Sequence, residues 1–287
     1  MFRHILLATD DQQVAQKSLA ATSLLAKELG SAITILRVLS PTASAAEQEK
    51  AAVDLHEVRE RLAAQGVSVS TSLRDGDPAE EILAEAVLSG VDLLVMGTRG
   101  LSGLKRALLG SVTSAVIAKA PIPILLVAPD SLSLSSLETL MVPMDGSTGS
   151  KNALRVAERL AQSAGARLVL AQVVVPVSLY AYAALTEEPA AYVDPDWEQR
   201  ALVEAREYVS RTAADLSAAG IRSEGVARIG DVSGALADIA QSRHADLVVM
   251  ATHGRSGAAR AVLGSIADEM VRESRLPILL VRQGLPV

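Results

Sequence analysis

Residues 92–127 read DLLVMGTRGLSGLKRALLGSVTSAVIAKAPIPILLV, and residues 246–281 read DLVVMATHGRSGAARAVLGSIADEMVRESRLPILLV. The stretches align without a gap, half of their positions are identical, and many of the others exchange one apolar residue for another. Self-similarity at this spacing, with room for only two copies, indicates a duplicated domain rather than a solenoid of short units. Each copy holds an apolar run, a glycine-bearing loop, a helical pattern and a second apolar run. Such strand-to-helix connections are where α/β proteins hold phosphate.

Outward from these stretches the alternation continues. In the first half, apolar runs at 2–8, 32–39, 67–73, 91–96 and 124–127 are separated by helical patterns at 18–29, 43–65, from Asp77 onward, and at 111–119. Gly30 and Gly66 follow the first two helices as natural stops. Asp77-Pro78 with Glu80 reads as a helix start, with an N-cap, proline at the first helical position and an acid soon after. The second half repeats the order, with strands at 140–144, 168–175, 221–228, 246–250 and 278–281 and helices at 150–164, 197–219, 233–243 and 265–274. Strands without polar alternation, separated by helices, indicate a parallel sheet covered on both faces. The expected fold class is therefore α/β, two tandem five-stranded parallel sheets of Rossmann-like type with helices on both faces.

The domains are placed at 1–130 and 138–287, joined by PDSLSLSSLE at 129–138. The repeat offset grows from 135 residues at Asp10 and Asp145 to 154 at Gly110 and Gly264, which places an insertion in the second domain near 178–196. Three of the four tyrosines fall there, so the segment is read as a cover for a site or interface, or as a surface loop.

Composition narrows the class. A chain of 287 residues suits two domains. A net charge of −6 argues against general nucleic-acid binding, which needs a positive surface. The absence of cysteine excludes disulfides, thiolate catalysis and thiolate metal sites. No apolar run reaches the length of a membrane span or signal peptide, so the expectation is a soluble, cytoplasmic protein that does not bind membrane.

The chemistry lies in the loops. Gly97-Thr98-Arg99-Gly100 is followed after nine residues by Gly110-Ser111 and a helix. Glycines there permit close backbone approach and positive φ, and a helix beginning at Gly110-Ser111 offers free N–H groups and its positive dipole end to an anion. Ser111 adds a hydroxyl, and Arg99, Lys105 and Arg106 add charge. Ligands of open parallel sheets sit beyond the carboxyl ends of strands where the strand order reverses. The duller reading makes these glycines tight turns, Asp10 and Asp145 holders of their own loops, and Asp77 a cap. His4, His56 and His244 lack metal-ligand spacing, and no Walker-type loop or nucleophile elbow occurs.

The pattern Gly97-x2-Gly100-x9-Gly110-Ser111 resembles the nucleotide-binding signature of the universal stress proteins. The aspartate after the first strand, Gly76-Asp77 and Gly230-Asp231, and the closing Pro-Ile-Leu-Leu-Val strengthen the resemblance. It implies ATP as cofactor, with Asp10 at the adenosine end, Val38 beside the adenine, Met96 and Gly97 along the nucleoside, and Gly100, Gly110, Ser111, Val112 and Thr113 at ribose and phosphates. Mg²⁺ would bridge phosphate oxygens, with help from Asp10. In the second domain the matching positions are Asp145, Val173, Ala251, His253, Gly254, Gly264 and Ser265. Alanine at 251 costs energy only if that position needs positive φ or direct contact, and Ile266-Ala267 loses the hydroxyl of Thr113. The expectation ranks the first domain above the second.

The resemblance also implies pairing between last strands, as single-domain members dimerise. Here 124–127 and 278–281 would pair within one chain as an intrachain pseudo-dimer, with further homodimers open. Three functions are weighed: an ATP-binding regulatory stress-response protein; a stress or interaction protein whose loops are structural only; and a slow ATPase, discounted because no general base or Walker-type lysine is apparent.

Overall fold

The computed structural model describes residues 1–9, 12–98, 109–176, 196–253 and 263–282, and at 12–15 the backbone alone. The first half runs β1 (His4–Ala8), α1 (Gln12–Leu29), β2 (Ala32–Leu39), α2 (Ala45–Ala63), β3 (Val69–Asp75), α3 (Pro78–Leu88), β4 (Leu93–Gly97), α4 (Ser111–Lys119) and β5 (Ile124–Val127). The second runs β6 (Thr139–Pro143), α5 (Thr148–Ala164), β7 (Arg167–Val174), α6 (Trp197–Ala218), β8 (Ser223–Ile229), α7 (Val232–Ser242), β9 (Leu247–Ala251), α8 (Ser265–Glu273) and β10 (Ile278–Val281). The expected insertion at 178–196 lies, apart from Asp196, outside the described residues.

Within each half the strands are parallel, and the two halves form one sheet of order β3-β2-β1-β4-β5-β10-β9-β6-β7-β8. The two five-stranded sheets expected from the sequence are thus fused edge to edge. The join is antiparallel, with Ile278 opposite Leu126, Leu279 opposite Leu125 and Leu280 opposite Ile124. All eight residues of β5 and β10 are buried. Because the join reverses strand direction, the carboxyl ends of the two halves point to opposite ends of the sheet.

One face of the sheet is covered by α1, α2, α5 and α6, and its core joins Leu19, Leu25 and Leu55 to Leu154, Leu160 and Val209. The other face carries α3, α4, α7 and α8, with Ile82 and Val116 at one end and Leu236 and Met270 at the other. Both cores run across the join. The stretch 129–138, expected as a linker, is itself anchored: Leu134 and Leu137 are buried, and Lys17 Nζ donates to the Ser131 carbonyl at 2.6 Å.

Local chemistry sets the helix starts. Ser44 and Glu47 form a reciprocal capping box at α2. Asp77 accepts from the amides of Ala79 and Glu80 at 2.9 and 3.0 Å, with Pro78 at the first position of α3. Asp231 does the same for α7 through Gly234 N. The glycines before these caps, Gly76 and Gly230, have φ of 149° and 158°, a conformation that L side chains rarely adopt. The aspartates that open the two repeated stretches are structural as well. Asp92 accepts from the amides of Arg3 and His4, and Asp246 from those of Glu138 and Thr139.

Beneath α3 lies a buried carboxylate. Arg74 Nε donates to Glu85 Oε2 at 2.7 Å, the Ser72 hydroxyl donates to the same oxygen at 3.1 Å, and the Ser89 hydroxyl donates to the other. Burial alone would raise Glu85, but the bonds from Ser89, Arg74 and Ser72 outweigh it and hold the carboxyl below its ordinary value. A lowered folded-state value stabilises the fold above the ordinary glutamate value of 4.5, and that stabilisation is lost as pH falls through the folded value. Glu85→Gln is expected to unfold at lower urea than wild type at pH 7, with the gap narrowing steadily below pH 4.5. A gap that stays constant with pH would remove the carboxylate from this account.

The fused sheet makes a second prediction. Leu279→Ala, at the join, should cost ~2–5 kcal/mol. Far-UV circular dichroism, which reports both halves, and fluorescence of Trp197, the single tryptophan, should give coincident urea transitions. Separate transitions would show that the halves unfold independently.

Candidate functional site

Where β1 meets β4, and β6 meets β9, the strand order reverses, and a crevice is expected beyond the carboxyl ends. In the second half these ends enclose a cavity of about 310 Å³. The end of β6 supplies Met144 and Asp145, the end of β7 supplies Val173 and Val175, and the end of β9 supplies Ala251, Thr252 and His253. Gly264, Ser265, Ile266 and Ala267 enter from α8. Every described candidate of the second half therefore lines one cavity. Gly254 lies outside the described residues.

Gly264 N donates to the Thr252 carbonyl at 2.8 Å, which closes the base of the loop and fixes the start of α8 against β9. Gly264 is the N-cap of α8 and provides no side-chain cap. The first amides of a helix lack intrahelical partners, and Ser265, Ile266 and Ala267, which carry them, line the cavity. That end of the cavity suits an anion. Met250, Val173, Leu236 and Ile266 provide an aliphatic wall suited to a flat apolar group.

The first half repeats the frame. Gly110 N donates to the Thr98 carbonyl at 3.0 Å, and Gly110 caps α4 without a side-chain bond. Ser111 is exposed, and Val38 and Val112 are half-buried on the same face as buried Met96. Thr113, expected at the phosphates, is buried, and its hydroxyl donates to the Gly97 carbonyl at 3.1 Å. It holds the strand end to the helix. Asp10, Arg99 and Gly100, with Lys105 and Arg106, lie outside the described residues.

Three expectations change. Gly110 and Gly264 have φ of −58° and −65°, so neither needs the left-handed region; both are extended N-caps. Ala251 is an ordinary strand residue of β9, so its methyl carries no backbone strain. What it meets is α5: a Cβ on Gly149 would lie 3.1 Å from the Ala251 methyl and 2.6 Å from the His253 carbonyl oxygen. Asp145 takes the Ser147 amide at 3.0 Å, which shapes the turn before α5, where Ser147 caps the helix through Ser150 N. The carboxylate also acts on Tyr208 of α6, whose phenol is pushed up first by burial and then by the negative charge of Asp145. With Thr113 committed to Gly97 and Ala251 unstrained, the grounds for ranking the first half above the second weaken.

The sequence reading missed Ser147, Ser150, Val232 and Leu236, which also line the cavity. Val232 and Leu236 stand four apart at the start of α7, a helical spacing readable once Asp231 is taken as its cap. Among the described residues no group of three histidine, aspartate or glutamate side chains is placed to hold a metal ion, and no helix is long and apolar enough to cross a membrane.

Gly149 tests the packing of this site. Gly149→Ala forces a methyl against backbone and should cost ~1–3 kcal/mol in urea unfolding. A variant as stable as wild type would show that α5 and β9 can separate without loss.

Comparison with known proteins points to one family. The model of the universal stress protein family matches residues 1–128 and again residues 137–282. One relative, universal stress protein YxiE of Bacillus subtilis, is 35% identical over 147 residues, covering 44% of this chain and 99% of its own. Among solved structures, a universal stress protein from Archaeoglobus fulgidus superposes with a TM-score of 0.74 at 23% identity, covering 98% of both chains. One from Pseudomonas aeruginosa reaches 0.70 at 20% identity, covering 98% of this chain and 93% of its own. The chain belongs to the universal stress protein family, as a member with two tandem domains.

Proposed function

We propose that this protein binds ATP as a regulatory ligand in a stress response, in the crevices beyond β1 and β4 and beyond β6 and β9. The observation that carries this reading is the second cavity. Its volume of about 310 Å³ falls in the range of small-molecule sites. The uncapped start of α8 with Ser265 fits a phosphate, and the wall of Val173, Leu236, Met250 and Ile266 fits a base. Mg²⁺, in this reading, arrives on the phosphate oxygens. The first half repeats the helix start and the aliphatic strand ends, which supports a second site of the same kind.

The alternative, an interaction protein whose loops serve only as scaffold, draws on Thr113 and Asp145. Both hold their own loops together through Gly97 and Ser147. Calorimetric titration of Mg²⁺-ATP into nucleotide-stripped chain separates the two readings. Binding at one or two sites is expected, with Gly264→Val weakening one by tenfold or more and Gly110→Val the other, each variant retaining its circular dichroism spectrum. No heat at two temperatures would transfer the protein to the interaction class.

A further inference from the structure

The two halves carry the same arginine in two different electrostatic states. Arg74 on β3 lies in register with Val38, and Arg228 on β8 lies in register with Val173. In the first half the guanidinium is consumed: it meets Glu85 at 2.7 Å and Glu81 at 3.3 Å, both from α3. The repeat offset of 154 places Ala235 and Ile239 of α7 where Glu81 and Glu85 stand. Arg228 has lost both acids, and it has no hydrogen-bond or ion-pair partner among the described residues.

The face on which Arg228 lies follows from strand alternation. Val226 packs with Val173, Val232 and Leu236, whereas Ala227 and Ile229 pack on the opposite face. Arg228 shares the parity of Val226 and so stands on the cavity side, one strand beyond Val173, which lines the cavity. It is half-buried. The order β9-β6-β7-β8 sets it three strand spacings from β9, about 14 Å across the sheet. A nucleotide with its phosphate at the start of α8, which follows β9, would direct its base toward β7 and β8.

We propose that Arg228 is a specificity-determining residue of the second cavity, selecting a purine nucleotide whose base presents adjacent acceptors, guanine or hypoxanthine, over adenine. This rests on the nucleotide reading of the cavity and narrows it: ATP remains a ligand of the second cavity, bound less tightly than GTP or ITP. A guanidinium is a planar fork of donors. The O6 and N7 of guanine are two acceptors that such a fork fits, whereas adenine turns its N6 amino donors toward it. In the first half the charge of Arg74 is already neutralised, so that crevice has no such ground for preference. The duplicated domains would then read different purines.

The test is a set of titrations of Mg²⁺-GTP, Mg²⁺-ITP and Mg²⁺-ATP into the full chain, stripped of nucleotide. Wild type should show a site that favours GTP and ITP over ATP by about tenfold or more. Arg228→Gln should abolish that preference by lowering the affinity for GTP and ITP to that for ATP. Ala235→Glu, which restores an acid at the place of Glu81, should abolish it with the arginine still present. ATP binding without any preference for GTP, or a preference that survives Arg228→Gln, would overturn the proposal and leave the nucleotide reading standing. The absence of binding by all three nucleotides would overturn both.

Discussion

The antiparallel pairing of Ile124–Val127 with Ile278–Val281 is the contact on which the molecule's organisation depends. Each half alone would end in a fully apolar edge strand, with unpaired backbone groups on one side and open core on both faces. Pairing satisfies the backbone and merges the cores. Leu125 and Val127 join the cluster that contains Leu279 and Val281, and Leu126 joins the one that contains Leu280. The contact also fixes the geography of function. Reversal of direction at the join puts the two crevices at opposite ends of one sheet but on the same face, so ligands at the two would not touch. Coupling between them would have to pass through the sheet or through α4 and α8.

Repetition in a sequence marks what folding needs as readily as what a ligand needs, and this chain separates the two. Asp92 and Asp246 open the most similar stretch of the repeat, yet both carboxylates are spent on the amides that begin β1 and β6. Gly76-Asp77 and Gly230-Asp231 pair a positive-φ glycine with a helix cap. Gly110 and Gly264 differ, because nothing about their φ demands glycine and no side chain caps the helices they start. A helix start that is repeatedly uncapped and glycine-led, beside strand ends at a topological switch, is the part of the repeat that local folding explains least.

Most of the architecture was legible in the sequence because apolar runs and helix punctuation agree at each step. Gly30, Gly66 and Asp77 mark ends and starts where the structure has them, and the edge pairing was implied by the resemblance to a family whose single-domain members pair through this strand. Less legible was anything decided by which side of an element a residue occupies. The stretch at 129–138 reads as a linker, but Leu134 and Leu137 belong to the core. The wall formed by Val232 and Leu236 comes from a helix remote in sequence from the loops that define the site. The resemblance placed Thr113 at the ribose and phosphates, and only the fold shows its hydroxyl bound to Gly97.

The differences between the halves carry more information than their similarities, because one has a physical complement within the fold and another has none among the described residues. Ala251 replaces Gly97 in the repeat, and the helix beside it has changed in the opposite sense: Gly149 stands where the repeat offset of 135 places Val14. The alanine methyl and the bare glycine backbone then fit together, with no room for a further carbon against His253. A substitution that seemed to impair the second loop is thus half of a packing exchange, and it leaves the loop's base bonded through Gly264 and Thr252 as in the first half. The exchange of Glu81 and Glu85 for Ala235 and Ile239 is of another kind. It puts a fully buried aliphatic side chain, Ile239, under α7, but leaves Arg228 without the acids that balance Arg74. Packing compensates the first change within the fold. The second has no counterpart among the described residues, so the guanidinium of Arg228 keeps donors that a ligand can take.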